Sequence, residues 1–338
     1  MNGRKPLAIA AGVVLLGAAT AWGLGVSVLA SKPDAARSEL PMAPPGRQHG
    51  SSRTVVRAEW GEGPGEFGLL TNGEAFGPQS LAVDDRERVY VLDSVNSRVV
   101  RFTGGAPDAE FALPGDDFED VAVSRDRLAA LRRDEDRAVV LIDTLTGEST
   151  TIPLASGIPD VYRLLIHDGD LVVECPSADG RTYHTIGSVA GEAAPEVEQC
   201  LPRTESGLPL PSGDVLEAAL VGRNDIAVDV TGANKTSKAR IRAHSDRAVN
   251  AIVDATSDLK GNLYVTWAVD STTTGEGRDG RLVVARYSPD GEPTGRMETG
   301  DSYTPEPFRK TVVSEAGEVY QLAPDMDGVS VLHWTLEP

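Results

Sequence analysis

The sequence predicts an all-β fold, a six-bladed β-propeller, preceded by an apolar N-terminal helix and a disordered tether. Three observations predict it. One segment recurs without a gap, the same pattern of short strands returns six times, and Gly, Asp, Asn or Pro separate the apolar runs. The chain of 338 residues is long enough for a single large repeat domain, so its length does not require two domains.

The clearest repeat relates residues 88–102 to residues 127–141. The first segment has the sequence RVYVLDSVNSRVVRF and the second has RLAALRRDEDRAVVL. They align without a gap, and Arg98 of the first corresponds to Arg137 of the second. The second segment contains good helix formers, but the first is rich in β-branched residues, so we expect strands in both.

The same pattern of short strands and polar turns continues to the end of the chain. In the fourth unit we assign residues 216–221 to the first strand, 226–230 to the second and 239–242 to the third. The second strands of the six units are predicted to begin at Val89, Leu128, Leu171, Ile226, Leu263 and Val319. Their average spacing is about 46 residues, which is typical of propeller blades.

The two ends of the repeat region predict how the ring closes. Residues 54–60 are strand-like but have no partner upstream, and the sixth unit ends at Pro338 without room for a fourth strand. We therefore expect Val55 and Val56 to pair with the last blade, which would remove two exposed sheet edges.

The N-terminus predicts export from the cytoplasm. Arg4 and Lys5 precede an uncharged apolar run over residues 7–29, long enough as a helix to cross a bilayer. Positive residues before such a run stay in the cytoplasm, so the rest of the chain would lie outside. The run exceeds the usual core of a signal peptide, which favours an uncleaved anchor, but small residues up to Ala30 also allow cleavage there.

These features give three regions. Residues 1–30 are a signal peptide or signal anchor, residues 31–52 are a flexible linker, and residues 53–338 are the propeller domain. The linker is rich in Pro, Ser, Gly and Ala, so it cannot bury enough apolar surface to offset the entropy of ordering.

The strongly acidic composition excludes some partners. The net charge is −19, and residues 31–338 carry 30 basic and 51 acidic residues. Nucleic-acid binding depends on Lys and Arg displacing counterions, so no nucleic-acid partner is expected. Anionic lipid surfaces would repel the domain, so contact with a membrane is expected through the N-terminal helix only.

Three stretches near the start of the repeat region resemble the NHL-repeat family of propellers. They are WGEGPGEF (60–67), GPQSLAVD (77–84) and VYVLDSVNSRVVRF (89–102). The resemblance is close over residues 60–103 and partial over 117–145. It implies four-stranded blades around a central channel, with binding at one mouth. Such propellers include protein-binding scaffolds as well as metal-dependent lyases and lactonases, so no single activity follows.

Polar residues after the second strand of the first unit are interpreted as structural. Asp93 and Asn96 are typical of tight turns, and Arg98 can brace the same hairpin. Arg137 recurs at the matching place in the second unit, although counterparts of Asp93 and Asn96 are missing there.

The two cysteines, Cys175 and Cys200, each adjoin a short apolar stretch. An oxidising compartment would permit a disulfide between them. Two buried thiols are the alternative, and the spacing fits no metal or redox motif.

No local motif identifies a catalytic, cofactor-binding or metal-binding residue. The GPGEFG segment from Gly63 to Gly68 lacks the strand and helix of a dinucleotide site, and the segment from Asp325 to Gly328 lacks the remaining ligands of a calcium loop. We expect turns at both places, and no cofactor is expected.

Two functional hypotheses remain. In the first, the chain is a protein- or ligand-binding scaffold of the cell envelope, periplasmic or otherwise outside the cytoplasm, with an unknown protein or small ligand at a propeller mouth. In the second, it is a metal-dependent exported hydrolase or lyase, lactonase-like or amidating-lyase-like, whose acids and histidines converge on the channel. A channel lined mainly by small or apolar side chains would argue against the second hypothesis.

Overall fold

The computed structural model describes residues 50–338 apart from 74, 134–135, 159, 178–179, 192–206, 211, 233, 235, 270–280 and 300–304. The predicted signal or anchor, and most of the predicted linker, lie outside the described residues. Within the part of the chain that is described, no helix is long and apolar enough to span a membrane.

The described residues form 23 β-strands in six antiparallel sheets, each sheet being one blade. Blade one contains β2 (Ser80–Val83), β3 (Val89–Asp93), β4 (Arg98–Thr103) and β5 (Ala106–Ala112). Blade two contains β6 (Phe118–Ser124), β7 (Arg127–Arg132), β8 (Ala138–Asp143) and β9 (Ser149–Pro153). Blade three has three described strands, β10 (Arg163–His167), β11 (Asp170–Ser177) and β12 (Gly180–Ser188).

The remaining blades complete the ring. Blade four contains β13 (Leu208–Pro209), β14 (Val215–Leu220), β15 (Asp225–Thr231) and β16 (Ser237–His244). Blade five contains β17 (Val249–Ser257), β18 (Leu263–Val269), β19 (Arg281–Tyr287) and β20 (Pro293–Glu298). Blade six contains β21 (Thr311–Val313), β22 (Val319–Asp325) and β23 (Gly328–Thr335), with β1 (Ser51–Ala58) as its fourth strand.

The closure of the ring is confirmed. β1 pairs antiparallel with β23, and Val56 lies opposite Val331. The register shifts between Thr54 and Val56, so Val55 lies in an irregularity of the pairing. The first strand begins at Ser51, two residues before the predicted domain boundary.

The first strands line the channel because those of neighbouring blades contact each other, as β2 contacts β6 and β21. Successive antiparallel strands alternate in direction, so the propeller has two unlike faces. The turns between second and third strands and the connections between blades lie on one face, which we call the loop face. The turns between first and second strands and between third and fourth strands lie on the other, the reverse face.

The strand assignment predicted for blade four is wrong by one strand. β16 ends at His244 and β17 begins at Val249, so this short connection between blades must lie on the loop face. The backbone nitrogen of Ser245 donates to the carbonyl of Asn224 at 2.8 Å, which places the β14–β15 turn on the same face. β14, β15 and β16 are therefore the second, third and fourth strands. The first strand is the two-residue β13, too short to show a pattern in the sequence.

The hydrophobic core lies between the blades. One cluster joins blades one and two through Tyr90, Leu92, Phe118 and Leu128, all of them inaccessible to solvent. Similar clusters join the other blades, because each sheet buries both of its faces against its neighbours. Burial on both faces explains why the strands have near-continuous apolar runs rather than strict alternation.

Candidate functional site

The residues predicted to stabilise the first blade turn lie together on the loop face. The Asp93 carboxylate accepts hydrogen bonds from Asn96 Nδ2 at 2.8 Å, Arg98 Nε at 3.2 Å and the Gly68 backbone nitrogen at 3.0 Å. Arg98 also donates to the carbonyl of Glu66 at 2.9 Å. Burial raises the pKa of Asp93, against the effect of these hydrogen bonds. These hydrogen bonds hold the glycine-rich loop that contains Glu66 and Gly68 against blade one.

Arg137 has different neighbours from Arg98. Its Nη1 donates to the carbonyl of Ile158 at 2.9 Å, within the connection between blades two and three. Cys175 is buried in β11. Cys200 lies outside the described residues, so the proposed Cys175–Cys200 disulfide stays a prediction.

Six charged residues meet near the loop-face end of the channel, and we call them the axial cluster. They come from blades two, three, five and six: Asp120, Arg163, Glu174, Arg181, Asp254 and Arg309. None of the six belongs to a sequence motif or to the predicted site residues. A signal was present, since a charged residue adjoins several predicted first strands: Asp120 precedes an apolar run, as Arg163 does, and Asp254 follows one.

Asp120 is the most heavily bonded acid of the axial cluster. Its side chain is inaccessible to solvent, and it accepts hydrogen bonds from Ser80 Oγ at 2.7 Å and the Leu164 backbone nitrogen at 2.8 Å. The Arg309 guanidinium donates to the same carboxylate. Arg309 also donates to the carbonyls of Val121 at 3.2 Å and Leu164 at 3.0 Å. One side chain of blade six therefore reaches blade three, on the opposite side of the ring.

Blade three reaches blade five in the same way, past the short first strand of blade four. Arg163 pairs with Glu174 at 3.0 Å and with Asp254. Arg181 pairs with the second Glu174 oxygen at 2.7 Å and donates to the carbonyls of Ile252 and Val253. These guanidiniums thus join blade three to blade five, the two neighbours of blade four in the ring.

Burial and charge act in opposite directions on these groups. Burial raises the pKa of Asp120 against the opposing charge of Arg309, and it lowers the pKa of the Arg309 guanidinium. For Asp254, burial disfavours ionisation, but the charge and hydrogen bond of Arg163 outweigh it and hold the pKa below its ordinary value. For Arg163, the carboxylates of Asp254 and Glu174 outweigh burial and raise the pKa.

The donor set of the axial cluster does not fit a divalent cation. Three guanidiniums lie among its three carboxylates, and each carboxylate faces at least one of them. A cation would have to displace these charges, whereas hard cations bind oxygen ligands free to coordinate. Among the described residues, no group of three or more His, Cys, Asp or Glu side chains is arranged to hold a metal ion.

Residues 305–309, which we call the strap, end at Arg309 of the axial cluster. Pro305 lies so close to Gly77 of the connection to blade one that a Cβ there would meet it at 2.5 Å. Phe308 lies 6.0 Å from the ring of Tyr162, and the Arg133 guanidinium lies 5.0 Å from the Phe308 centroid. The Arg181 guanidinium lies 5.4 Å from the Tyr162 centroid on the other side. Two rings and two guanidiniums thus form one series of contacts near the mouth.

The exposed apolar side chains are distributed unevenly between the two faces. Among the described residues, six of the eight exposed large hydrophobic side chains belong to the loop face: Leu70, Phe76, Tyr162, Leu220, Val221 and Met326. Leu145 and Leu259 belong to the reverse face. Charged pairs and the strap thus lie near the loop-face end of the channel, and turns of the same face expose apolar side chains.

Residues 77–102 match the family model described as NHL repeat. The resemblance found in the sequence is therefore confirmed for this repeat, within a six-bladed propeller. A search of curated proteins finds no significant match.

Several solved structures are similar to this chain. One is described as an oxidoreductase (glucose dehydrogenase) from Thermus thermophilus, with 14% identity, coverage of 85% of this chain and 100% of that chain, and a TM-score of 0.47. A gluconolactonase from Xanthomonas campestris has 13% identity, coverage of 85% and 90%, and a TM-score of 0.38. BamB from Moraxella catarrhalis has 14% identity, coverage of 85% and 97%, and a TM-score of 0.36.

Proposed function

We propose that this propeller is a binding scaffold outside the cytoplasm and that it holds a protein partner on its loop face. The observation that carries the proposal is the concentration of exposed apolar side chains on that face. Aromatic residues, Met and Arg are enriched at protein interfaces, and the loop face presents Tyr162, Phe76, Met326 and Arg133.

The axial cluster supports this role because it stiffens the surface that the partner would contact. Arg309 ties the strap to blades two and three, and Arg181 ties blade three to blade five. A surface fixed in this way loses little conformational entropy on binding. Export is supported by the charges at Arg4 and Lys5 and by the apolar run over residues 7–29.

The alternative of a metal-dependent hydrolase or lyase has weaker support. A channel lined mainly by small or apolar side chains would argue against this alternative. The loop-face end of the channel carries charged side chains instead, so that objection does not apply. Yet the carboxylates there are engaged by Arg163, Arg181 and Arg309, which suits a structural role. Each member of a buried ion pair neutralises the charge of the other, and separating them leaves an uncompensated buried charge. Neither member is therefore available to a substrate while the pair is intact.

Site-specific cross-linking of the full-length protein tests the proposal. A photo-reactive amino acid replaces Tyr162 on the loop face or, in the control, Leu259 on the reverse face, which is 70% exposed. The proposal expects discrete protein adducts from position 162 and none from position 259. Adduct patterns that do not differ between the two positions, or no adducts from positions 162, 220 and 326, would overturn it.

Export is tested separately on the same full-length chain. A cysteine introduced at Leu145, which is 71% exposed on the reverse face, is treated with a membrane-impermeant maleimide on intact cells. Labelling above the background of the unsubstituted chain is expected. Labelling only after lysis would contradict a location outside the cytoplasm.

A further inference from the structure

The loop face carries exposed carboxylates that have no ion-pair or hydrogen-bond partner among the described residues. Glu59 and Glu62 lie after β1, Asp116 lies between blades one and two, and Asp160 lies between blades two and three. Two arginines of the same face are engaged, since Arg132 lies 3.6 Å from Asp117 and Arg133 pairs with Glu119. Arg223, in the β14–β15 turn, is exposed and has no ion-pair partner among the described residues. Among the described residues, the unpaired charge on this face is therefore mainly negative.

These carboxylates lie close in the chain to the exposed apolar residues. Asp160 precedes Tyr162 by two residues, and Asp327 directly follows Met326, which is 77% exposed. A partner that covers Tyr162 and Met326 would bring its own polar groups against carboxylates. Burying an acid without a counter-charge is costly, so such a partner must supply positive charge.

The charge of the whole domain acts in the same direction. Residues 31–338 carry 51 acidic and 30 basic residues, so the long-range field attracts cations and repels acidic surfaces. Complementary charge of this kind raises association rates and suppresses wrong partners.

We infer that the partner presents a basic amphipathic segment, with Lys or Arg beside apolar side chains, to the loop face. The apolar side chains cover residues such as Tyr162 and Met326, and the basic side chains meet Glu59, Glu62, Asp116 and Asp160. This inference rests on the proposed function and adds the chemistry of the partner to it.

Two charge variants of the full-length protein with the photo-reactive group at position 162 test the inference. The loop-face variant carries Glu59→Gln, Glu62→Gln, Asp116→Asn and Asp160→Asn. The matched control carries Asp85→Asn, Glu148→Gln, Asp290→Asn and Glu315→Gln, all exposed in turns of the reverse face. Both variants change the net charge by the same amount, so they differ only in where the charge is lost.

The inference expects the adduct yield to fall by about fivefold or more in the loop-face variant and to stay at the parental level in the control. Mass spectrometry of the adduct should identify a cross-linked segment with net positive charge and apolar residues. Equal yields in the two charge variants, or a neutral or acidic cross-linked segment, would overturn the inference while leaving the scaffold proposal intact. Absence of any adduct from positions 162, 220 and 326 of the chain without charge substitutions would overturn both.

Discussion

The Arg309 guanidinium donates a hydrogen bond to the carboxylate of Asp120, 189 positions earlier in the chain. The pair joins the strand segment before blade six to the first strand of blade two across the loop-face end of the channel. Asp120 is inaccessible to solvent and the Arg309 side chain is 13% exposed. The interaction fixes blades that are not neighbours in the ring.

Replacement of Arg309 should be strongly destabilising. Arg309→Met leaves the Asp120 carboxylate buried without its counter-charge, so we expect the free energy of unfolding to fall by about 3–5 kcal/mol. Urea unfolding of the two proteins measures the difference. Arg57→Met is the control, because its ion pair with Asp325 is about half exposed on both sides and should contribute about 1 kcal/mol or less. Similar losses for the two variants would contradict the role given to Arg309.

The pairing of Asp254 with Arg163 predicts a pH dependence of stability. The folded state lowers the pKa of Asp254 below its ordinary value of 3.8, so the ionised form is favoured by folding. Its contribution is complete above about pH 4 and is lost as the pH falls through the lowered folded-state value. The difference in unfolding free energy between the parent and Asp254→Asn should therefore be largest at pH 7 and shrink below pH 4.

The control for this titration is Asp290→Asn, which changes an exposed carboxylate in a turn of the reverse face. Its unfolding free energy should follow that of the parent at every pH. A gap between parent and Asp254→Asn that stays constant from pH 7 to pH 3 would show that the charge of Asp254 does not stabilise the fold.

The closure of the ring depends on a glycine. Gly328 begins β23 with φ of +145°, and a Cβ there would lie 2.2 Å from the carbonyl oxygen of Ala58 in β1. Gly328→Ala should separate β1 from β23 and open the last blade. Measured by hydrogen exchange, the backbone amides of these two strands should then lose their protection before those of the rest of the propeller.

A substitution at a second glycine is the control, because it introduces backbone strain without a steric clash. Gly147 also has a positive φ, +76°, but a Cβ there would meet no atom within 4 Å. Gly147→Ala should reduce stability by about 1–2 kcal/mol through backbone strain alone, with β1 remaining protected. Equal loss of protection in β1 in both variants would contradict the account of closure.

Much of the fold could be predicted because repeated apolar strands leave a local pattern. The second strands of five blades begin within one residue of the predicted positions Val89, Leu128, Leu171, Leu263 and Val319. Blade four differs because its first strand, Leu208–Pro209, is too short to form a pattern. The sequence pattern therefore predicts each of the next three strands one position too early in the blade.

The candidate site was much less predictable. Asp120 and Arg309 form a pair only because the ring brings blades two and six to one axis, and no spacing in the sequence encodes that contact. The uneven distribution of Tyr162, Leu220 and Met326 also depends on which turns share a face, and that requires the direction of every strand. The charged residues beside the predicted first strands were the one available signal.

The size of the native complex tests the central claim most directly. The full-length protein of 35.7 kDa is extracted from its own cells in mild detergent and compared with two serine variants. The loop-face serine variant carries Tyr162→Ser, Val221→Ser and Met326→Ser, and the reverse-face serine variant carries Leu145→Ser and Leu259→Ser. We expect the parent and the reverse-face serine variant to migrate in a complex larger than the single chain, and the loop-face serine variant to migrate as the single chain. A parent that migrates as the single chain, or a complex that survives the loop-face substitutions unchanged, would contradict a scaffold that binds its partner through this face.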